Sequence, residues 1–146
     1  MRRSPVLAVT GLVLAAMSVG LLTGCDTGST HGAEAAGQQK AQDTMIHQIE
    51  ALPGAKVTAA IESSLDGGQN NIDVDAVLPA TATTAQLNVM ADTIERTIWL
   101  SQVDPLGRIG LTVGRQGVTR RVVQRLYQDR QPLGVKYGPR PDGLAG

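Results

Sequence analysis

The sequence is poor in aromatic residues and in cysteine. Its 146 residues include no Phe, one Trp, two Tyr and a single Cys. Surfaces that bind nucleic acid by stacking on bases need aromatic rings, so we expect no nucleic-acid partner. A single cysteine cannot form an internal disulfide, so the fold does not need one. The core must therefore be built from aliphatic side chains.

Motifs of known chemistry are also missing. The chain has no Gly-x-Ser-x-Gly, no phosphate-binding Gly-rich loop, no Cys-x-x-Cys and no His-Glu-x-x-His. Of its two histidines, His31 stands alone in the linker, and His47 has no other histidine or cysteine nearby to complete a metal site. The acids Asp66, Asp73 and Asp75 do not follow the spacing of a calcium loop. We therefore expect no enzyme, and no catalytic residue, metal or cofactor.

The N-terminus has the pattern of a bacterial export signal. Arg2 and Arg3 precede an apolar run over residues 6–19, and Leu22-Thr23-Gly24-Cys25 follows it. This segment resembles the lipobox of bacterial lipoproteins, in which Leu and two small residues precede a lipid-bearing cysteine. An uncleaved anchor is the alternative, because the segment from Val6 to Leu22 is just long enough to span a bilayer.

The resemblance to bacterial lipoproteins implies a location in the cell. Residues 1–24 would be a signal peptide, cleaved before Cys25, and the thiol of Cys25 would carry diacylglycerol. The mature protein would then be extracytoplasmic and lipid-anchored to the cell membrane, since two or three acyl chains anchor stably. The bias toward Ala, Gly, Val and Arg is similar to that of actinobacterial envelope lipoproteins.

Composition divides the rest of the chain into three parts. Residues 25–39 are small and polar without apolar periodicity, which predicts a flexible spacer that reaches about 20 Å. Residues 40–131 carry the periodic patterns of a folded domain. Residues 132–146 are rich in Gly and Pro and predict a tail, in which residues 133–137 could add an edge strand.

The folded part predicts an α+β domain of the order α-β-β-α-β-α. Helical periodicity covers residues 39–52, 84–101 and 118–130, and strict alternation covers 56–66, 72–78 and 108–113. Thr83 and Gln86 form a capping box before the second helix. We expect a three-stranded mixed sheet, with an antiparallel hairpin and a parallel third strand, covered by helices on one face. Trp99 is expected to fill the edge of the core, or else to anchor a partner.

Charge is distributed unevenly. Residues 25–104 hold eleven acidic and three basic side chains, whereas residues 105–146 hold two acidic and eight basic ones. On the predicted helix 118–130, Arg120, Arg121 and Arg125 share one polar face. On a tethered protein, that face could bind anionic headgroups or an anionic envelope polymer. It could also be an ordinary solvated face that balances the acidic half.

These patterns predict a non-catalytic envelope lipoprotein that works as a binding or assembly module. Its partners would be the membrane, through the lipid on Cys25, and an envelope protein or an anionic polymer. The alternative is a small-ligand carrier with a pocket between the sheet and the helices. An enclosed apolar cavity would favour this carrier.

Overall fold

The computed structural model describes residues 29–63, 68–119, 122–141 and 144, with side chains from residue 34 onward. Residues 1–28, which include the predicted signal peptide and Cys25, lie outside the described residues, as does Asp66. The described chain forms three helices and four strands: α1 (Ser29–Glu50), β1 (Lys56–Ser63), β2 (Asn70–Leu78), α2 (Thr84–Trp99), β3 (Leu106–Arg115), β4 (Val123–Tyr127) and α3 (Gln131–Tyr137).

The predicted α+β class and mixed sheet are confirmed, but the sheet has four strands instead of three. Its order is β1-β2-β3-β4. β1 and β2 form the predicted antiparallel hairpin, and β3 lies parallel to β2. A parallel neighbour requires a long crossover, which α2 supplies between β2 and β3. β4 then returns antiparallel to β3.

Both long helices cover one face of this sheet, because the strands alternate between apolar and polar side chains. In β2, Ile72, Val74 and Ala76 are buried, whereas Asp75 is exposed. Together with α1 and α2, the inward residues form one aliphatic core that also holds Trp99. Burial of this apolar surface is the main favourable contribution to the free energy of folding. The opposite face of the sheet is not covered by any described element.

The first helix begins much earlier than expected. α1 starts at Ser29, so most of the predicted spacer 25–39 is helical. Residues 33–41 are mainly Ala, Glu, Gln and Lys, which are good helix formers. Residues 34–37 are exposed, so this part needs no apolar residues and shows no periodicity. Gln38 contacts the rest of the domain, since its side-chain oxygen accepts a 3.1 Å hydrogen bond from the Asp104 amide.

The predicted helix over residues 118–130 is wrong, because this segment contains strand β4. Gly117, with a φ of 75°, lies in the turn that reverses the chain after β3. Val123 then pairs with Val113, and Tyr127 pairs with Ile109. β-branched and aromatic residues favour strands.

The predicted tail 132–146 belongs to the domain as far as the structure describes it. Residues 131–137 form α3, a helix rather than an edge strand, with Pro132 in its first turn. Proline is well accepted there, because the first amides of a helix have no partner within it. Leu133 and Arg140 are buried. The folded domain therefore continues past residue 131.

Candidate functional site

Of the three arginines predicted to share a helix face, Arg125 is the one that the structure describes. Arg120 and Arg121 lie outside the described residues. Arg125 lies in β4 and points to the helical side of the sheet, where its side chain is 22 % exposed. Its Nη1 donates to Asp92 Oδ1 at 2.6 Å and to Glu95 Oε1 at 2.9 Å. Arg125 is therefore occupied by contacts within the domain.

Arg125 belongs to a polar cluster between α2, β4 and α3. At its centre is Glu95, which is 0 % exposed. Glu95 Oε1 accepts hydrogen bonds from Arg125 and, at 2.8 Å, from Tyr127; Oε2 accepts from Lys136 at 2.8 Å and from Tyr137 at 3.0 Å. Asp92 also accepts from Lys136, at 2.6 Å. We call these six residues the Glu95 cluster: Asp92, Glu95, Arg125, Tyr127, Lys136 and Tyr137.

The pKa values in the Glu95 cluster favour the charged forms of its ionic members. Burial raises the pKa of Glu95, but hydrogen bonds from Lys136 and Arg125 outweigh it, and the net pKa is lowered. Hydrogen bonds from the same two residues lower the pKa of Asp92. Burial lowers the pKa of Lys136 and Arg125, but hydrogen bonds to Asp92 and Glu95 raise both overall.

Such a cluster is suited to holding elements together. A general acid or base needs a pKa near the working pH. The pKa values of Asp92 and Glu95 are instead lowered, which moves them further from neutral pH. A buried carboxylate with every oxygen hydrogen-bonded is instead stable in place, and removal of one partner is costly. The Glu95 cluster thus fixes β4 and α3 against α2.

Sequence reasoning missed this cluster because its members are far apart in the chain. The partners of Asp92, for example, are Arg125 and Lys136, which lie 33 and 44 residues downstream. One signal was present. The two-residue spacing of Arg125 and Tyr127 places both side chains on the same side of a strand.

The surface on the other side of the sheet is open, and we call it the uncovered face. It consists of the outward residues of all four strands: Lys56, Thr58, Ala60, Glu62, Asn71, Asp73, Asp75, Val77, Arg108, Gly110, Thr112, Gly114, Gln124 and Leu126. Two large apolar side chains are exposed on it, Leu126 at 56 % and Val77 at 41 %. This face has a shallow cavity of about 290 Å³ beside Asp73 and Leu126. Another shallow cavity, of about 310 Å³, lies away from the face, between α1 and the end of α2.

Three polar residues of the uncovered face, Asn71, Asp73 and Arg108, are connected by hydrogen bonds. Arg108 Nη2 lies 2.6 Å from Asp73 Oδ2 across β2 and β3. The backbone amide of Arg108 donates to Asn71 Oδ1 at 2.9 Å. Gly110 leaves the space that the Asp73 carboxylate occupies, since a Cβ there would collide with Asp73 Oδ1. The absence of a side chain at Gly110 therefore helps to position the ion pair.

An open cavity of about 370 Å³ lies at the rim of the space between the sheet and the helices, where Leu78 of β2 meets Gln86 and Met90 of α2, but the centre of that space is closed. Side chains such as Met45, Ile72 and Leu111 fill that space and are buried. A larger cavity of about 690 Å³ lies at the surface beside α3, next to Trp99 and Pro139. In the part of the chain that the structure describes, no three His, Cys, Asp or Glu side chains are grouped to hold a metal ion.

Comparisons with known proteins leave the family open. No protein-family model matches the chain, and neither a curated protein nor a solved structure matches it. Among the described residues, none of the helices combines the length and the apolar character needed to span a bilayer.

Proposed function

We propose that this chain is a membrane-anchored envelope lipoprotein whose domain acts as a non-catalytic binding module for another envelope protein. The lipobox pattern Leu22-Thr23-Gly24-Cys25 supports the anchor. The uncovered face supports the binding role. We propose it as the surface that contacts the partner.

The observation that carries the binding role is the composition of this face. Most outward positions are small or polar, but Leu126 exposes apolar surface in the same shallow cavity as the Asp73–Arg108 pair, and Val77 exposes more near the far end of β2. Protein interfaces combine apolar contact area with polar groups in defined positions. A pre-positioned ion pair also reduces the ordering cost of association.

A partner protein fits the described surface better than an anionic polymer does. The polymer hypothesis depended on three arginines on one helix face, and Arg125 instead makes ion pairs with Asp92 and Glu95. The carrier alternative needs space between the sheet and the helices, where the core is filled by aliphatic side chains.

The anchor is tested by labelling cells with a radioactive or alkyne-tagged fatty acid. The natural protein should take up the label and sediment with membranes, and Cys25→Ser should lose the label. A matched control is Thr23→Ser, which keeps a small residue before the cysteine. Equal labelling of the Cys25→Ser protein would refute lipidation at this position.

The contact surface is tested by affinity capture of the full lipoprotein from native membranes. Leu126→Asp with Val77→Asp should lose a partner that the natural protein retains. Val135→Asp with Val89→Asp is the matched control, since both residues are exposed but lie on α3 and α2. Retention of the partner by the first variant, or no specific partner for the natural protein, would contradict the proposal.

A further inference from the structure

We propose that the chain forms a two-fold symmetric dimer in which β1 pairs antiparallel with β1 of a second copy. The four-stranded sheets of the two copies would become one sheet of eight strands. β1 is an edge strand of eight residues, Lys56–Ser63. It pairs with β2 residue by residue without a bulge, and it contains no proline. No described strand pairs with the outer edge of β1, and such an edge readily pairs with another strand.

The sequence of β1 is complementary to itself in charge. When Ala59 lies opposite Ala59 of the second copy, Lys56 lies opposite the other copy's Glu62 at both ends of the strand. Antiparallel residues that lie directly opposite each other point to the same side, and their Cβ atoms are about 5 Å apart. Two equivalent ion pairs therefore form on the uncovered face.

Neither residue makes an ion pair with another described residue of its own chain. Lys56 and Glu62 are exposed. Six residues of extended strand separate them by about 20 Å, so they cannot pair with each other. A second copy brings each charge its opposite.

The helical side of the edge offers apolar contacts in the same register. Val57 of one copy lies opposite Ile61 of the other. Ala59 and Ile61 are only partly buried, since β1 has no neighbour beyond it among the described residues. A second β1 would cover both residues and so bury more apolar surface.

α1 contributes a further apolar residue to this edge. Thr44 and Gln48 line a cavity with Leu100, so their side of α1 faces the end of α2. Ile46 lies on the opposite side of the helical wheel and is partly exposed. That side also carries Gln42, whose side-chain amide donates to Ser63 at the end of β1. Ile46 of each copy would pack across the new interface.

The register of this pairing is specific. A shift by one residue places the outward side chains of one strand opposite the inward side chains of the other. A shift by two residues keeps the sides but separates Lys56 from Glu62. The other edge, β4, offers only five residues. Ala59 at the two-fold axis is therefore the register that satisfies charge and apolar contacts together.

The geometry also agrees with a lipid anchor, although the dimer does not depend on it. Pairing of two strands in one sheet gives a two-fold axis perpendicular to the sheet. Both α1 helices then lie on one side and both uncovered faces on the other. Two lipids could enter one membrane on the helical side, and the uncovered faces would point away from it. Confinement to a membrane would raise the effective concentration of a weak dimer.

Cross-linking tests the register with the full-length chain in detergent, with Cys25→Ser to remove the natural thiol. Ala59→Cys should give a disulfide-linked dimer under mild oxidation, because opposite Cα atoms lie about 5 Å apart, within the range for a disulfide. Glu62→Cys is the control, since the two copies of this residue would be about 20 Å apart. Equal cross-linking of both variants, or none for Ala59→Cys, would overturn the register.

Charge reversal tests the pairing by sedimentation velocity over a concentration series. Lys56→Glu and Glu62→Lys should each weaken the dimer by about tenfold, because like charges then lie opposite each other at both ends. The double variant Lys56→Glu with Glu62→Lys restores both pairs and should dimerise like the natural chain. Circular dichroism verifies that each variant folds. A monomeric natural chain, or a double variant as weak as the single ones, would refute the dimer.

Discussion

The indole Nε1 of Trp99 donates a 2.9 Å hydrogen bond to the carbonyl oxygen of Gly138, beyond α3. Trp99 is 2 % exposed, so the first of the two roles expected for it, filling the core, is confirmed. The Arg140 guanidinium lies 5.6 Å from the centre of its ring. Trp99, which was predicted to fill the edge of the core, therefore holds the segment after α3, which was predicted to be a tail.

Arg140→Gln should loosen this segment. Arg140 donates to the carbonyls of Trp99, Ser101 and Val103 and pairs with Asp104 at 2.8 Å. Glutamine cannot reach all these acceptors, so the free energy of unfolding should fall by about 2–3 kcal/mol. Urea unfolding followed by the fluorescence of Trp99, the single tryptophan, measures it. Arg96→Gln, an exposed position on α2, is the control; equal midpoints for the two variants would contradict this account.

Glu95→Gln should be among the most destabilising single changes in the domain. It removes the buried negative charge that Arg125 and Lys136 share. Among the described residues, Asp92 is then the one carboxylate left to form ion pairs with both cations. Loss of one partner from a buried ion network costs about 3–5 kcal/mol. Chemical denaturation of the variant beside Glu50→Gln measures the difference. The exposed Glu50 position should change stability by no more than about 0.5 kcal/mol.

Stability should fall with acid because of the same cluster. The pKa values of Asp92 and Glu95 are lowered in the folded protein from ordinary values of 3.8 and 4.5. Their contribution is therefore fully present above those ordinary values and is lost as the pH falls through the lower folded values. Thermal unfolding between neutral and strongly acidic pH measures this. The Arg125→Met, Lys136→Met double variant should lose less stability over that pH range, whereas an unchanged slope would assign the effect to other groups.

Gly110→Ala should disrupt the uncovered face where Gly114→Ala does not. A Cβ at Gly110 would collide with Asp73 Oδ1, but a Cβ at Gly114 meets nothing within 4 Å. The first change should cost about 1–3 kcal/mol through displacement of Asp73 from Arg108. The second lies on the same strand and face and should be close to neutral. Denaturant unfolding of the two variants compares them; equal stability would show that Asp73 moves without cost.

Much of the fold could be predicted because its elements carry local signals. The alternation in β2 and β3 and the capping box of Thr83 and Gln86 each reside within a few residues of sequence. β4 was missed because Val118, Val122 and Leu126 recur every four residues, as in a helix, whereas Val123, Arg125 and Tyr127 alternate, as in a strand. Pairing with β3 favours the alternating, strand-like pattern. Rules that use only neighbouring residues cannot take this pairing into account.

The candidate site was less predictable than the fold. Outward residues of β2 and β3 could be assigned to one face from alternation, yet the Asp73–Arg108 pair depends on how two distant strands align. The position of Gly110 beneath Asp73 depends on the same alignment. The lipidation of Cys25 stays a prediction from the sequence.

The sequence by itself determined the α+β class, the aliphatic core, the β1–β2 hairpin and the cap of α2. These follow from periodicity and from hydrogen bonds between near neighbours. Only the tertiary structure decided that residues 123–127 form a strand, that α3 closes over Trp99 and that Arg125 is paired with Glu95. Each of these depends on contacts between residues roughly ten to forty positions apart. Their free energy is gained only when the whole domain packs together.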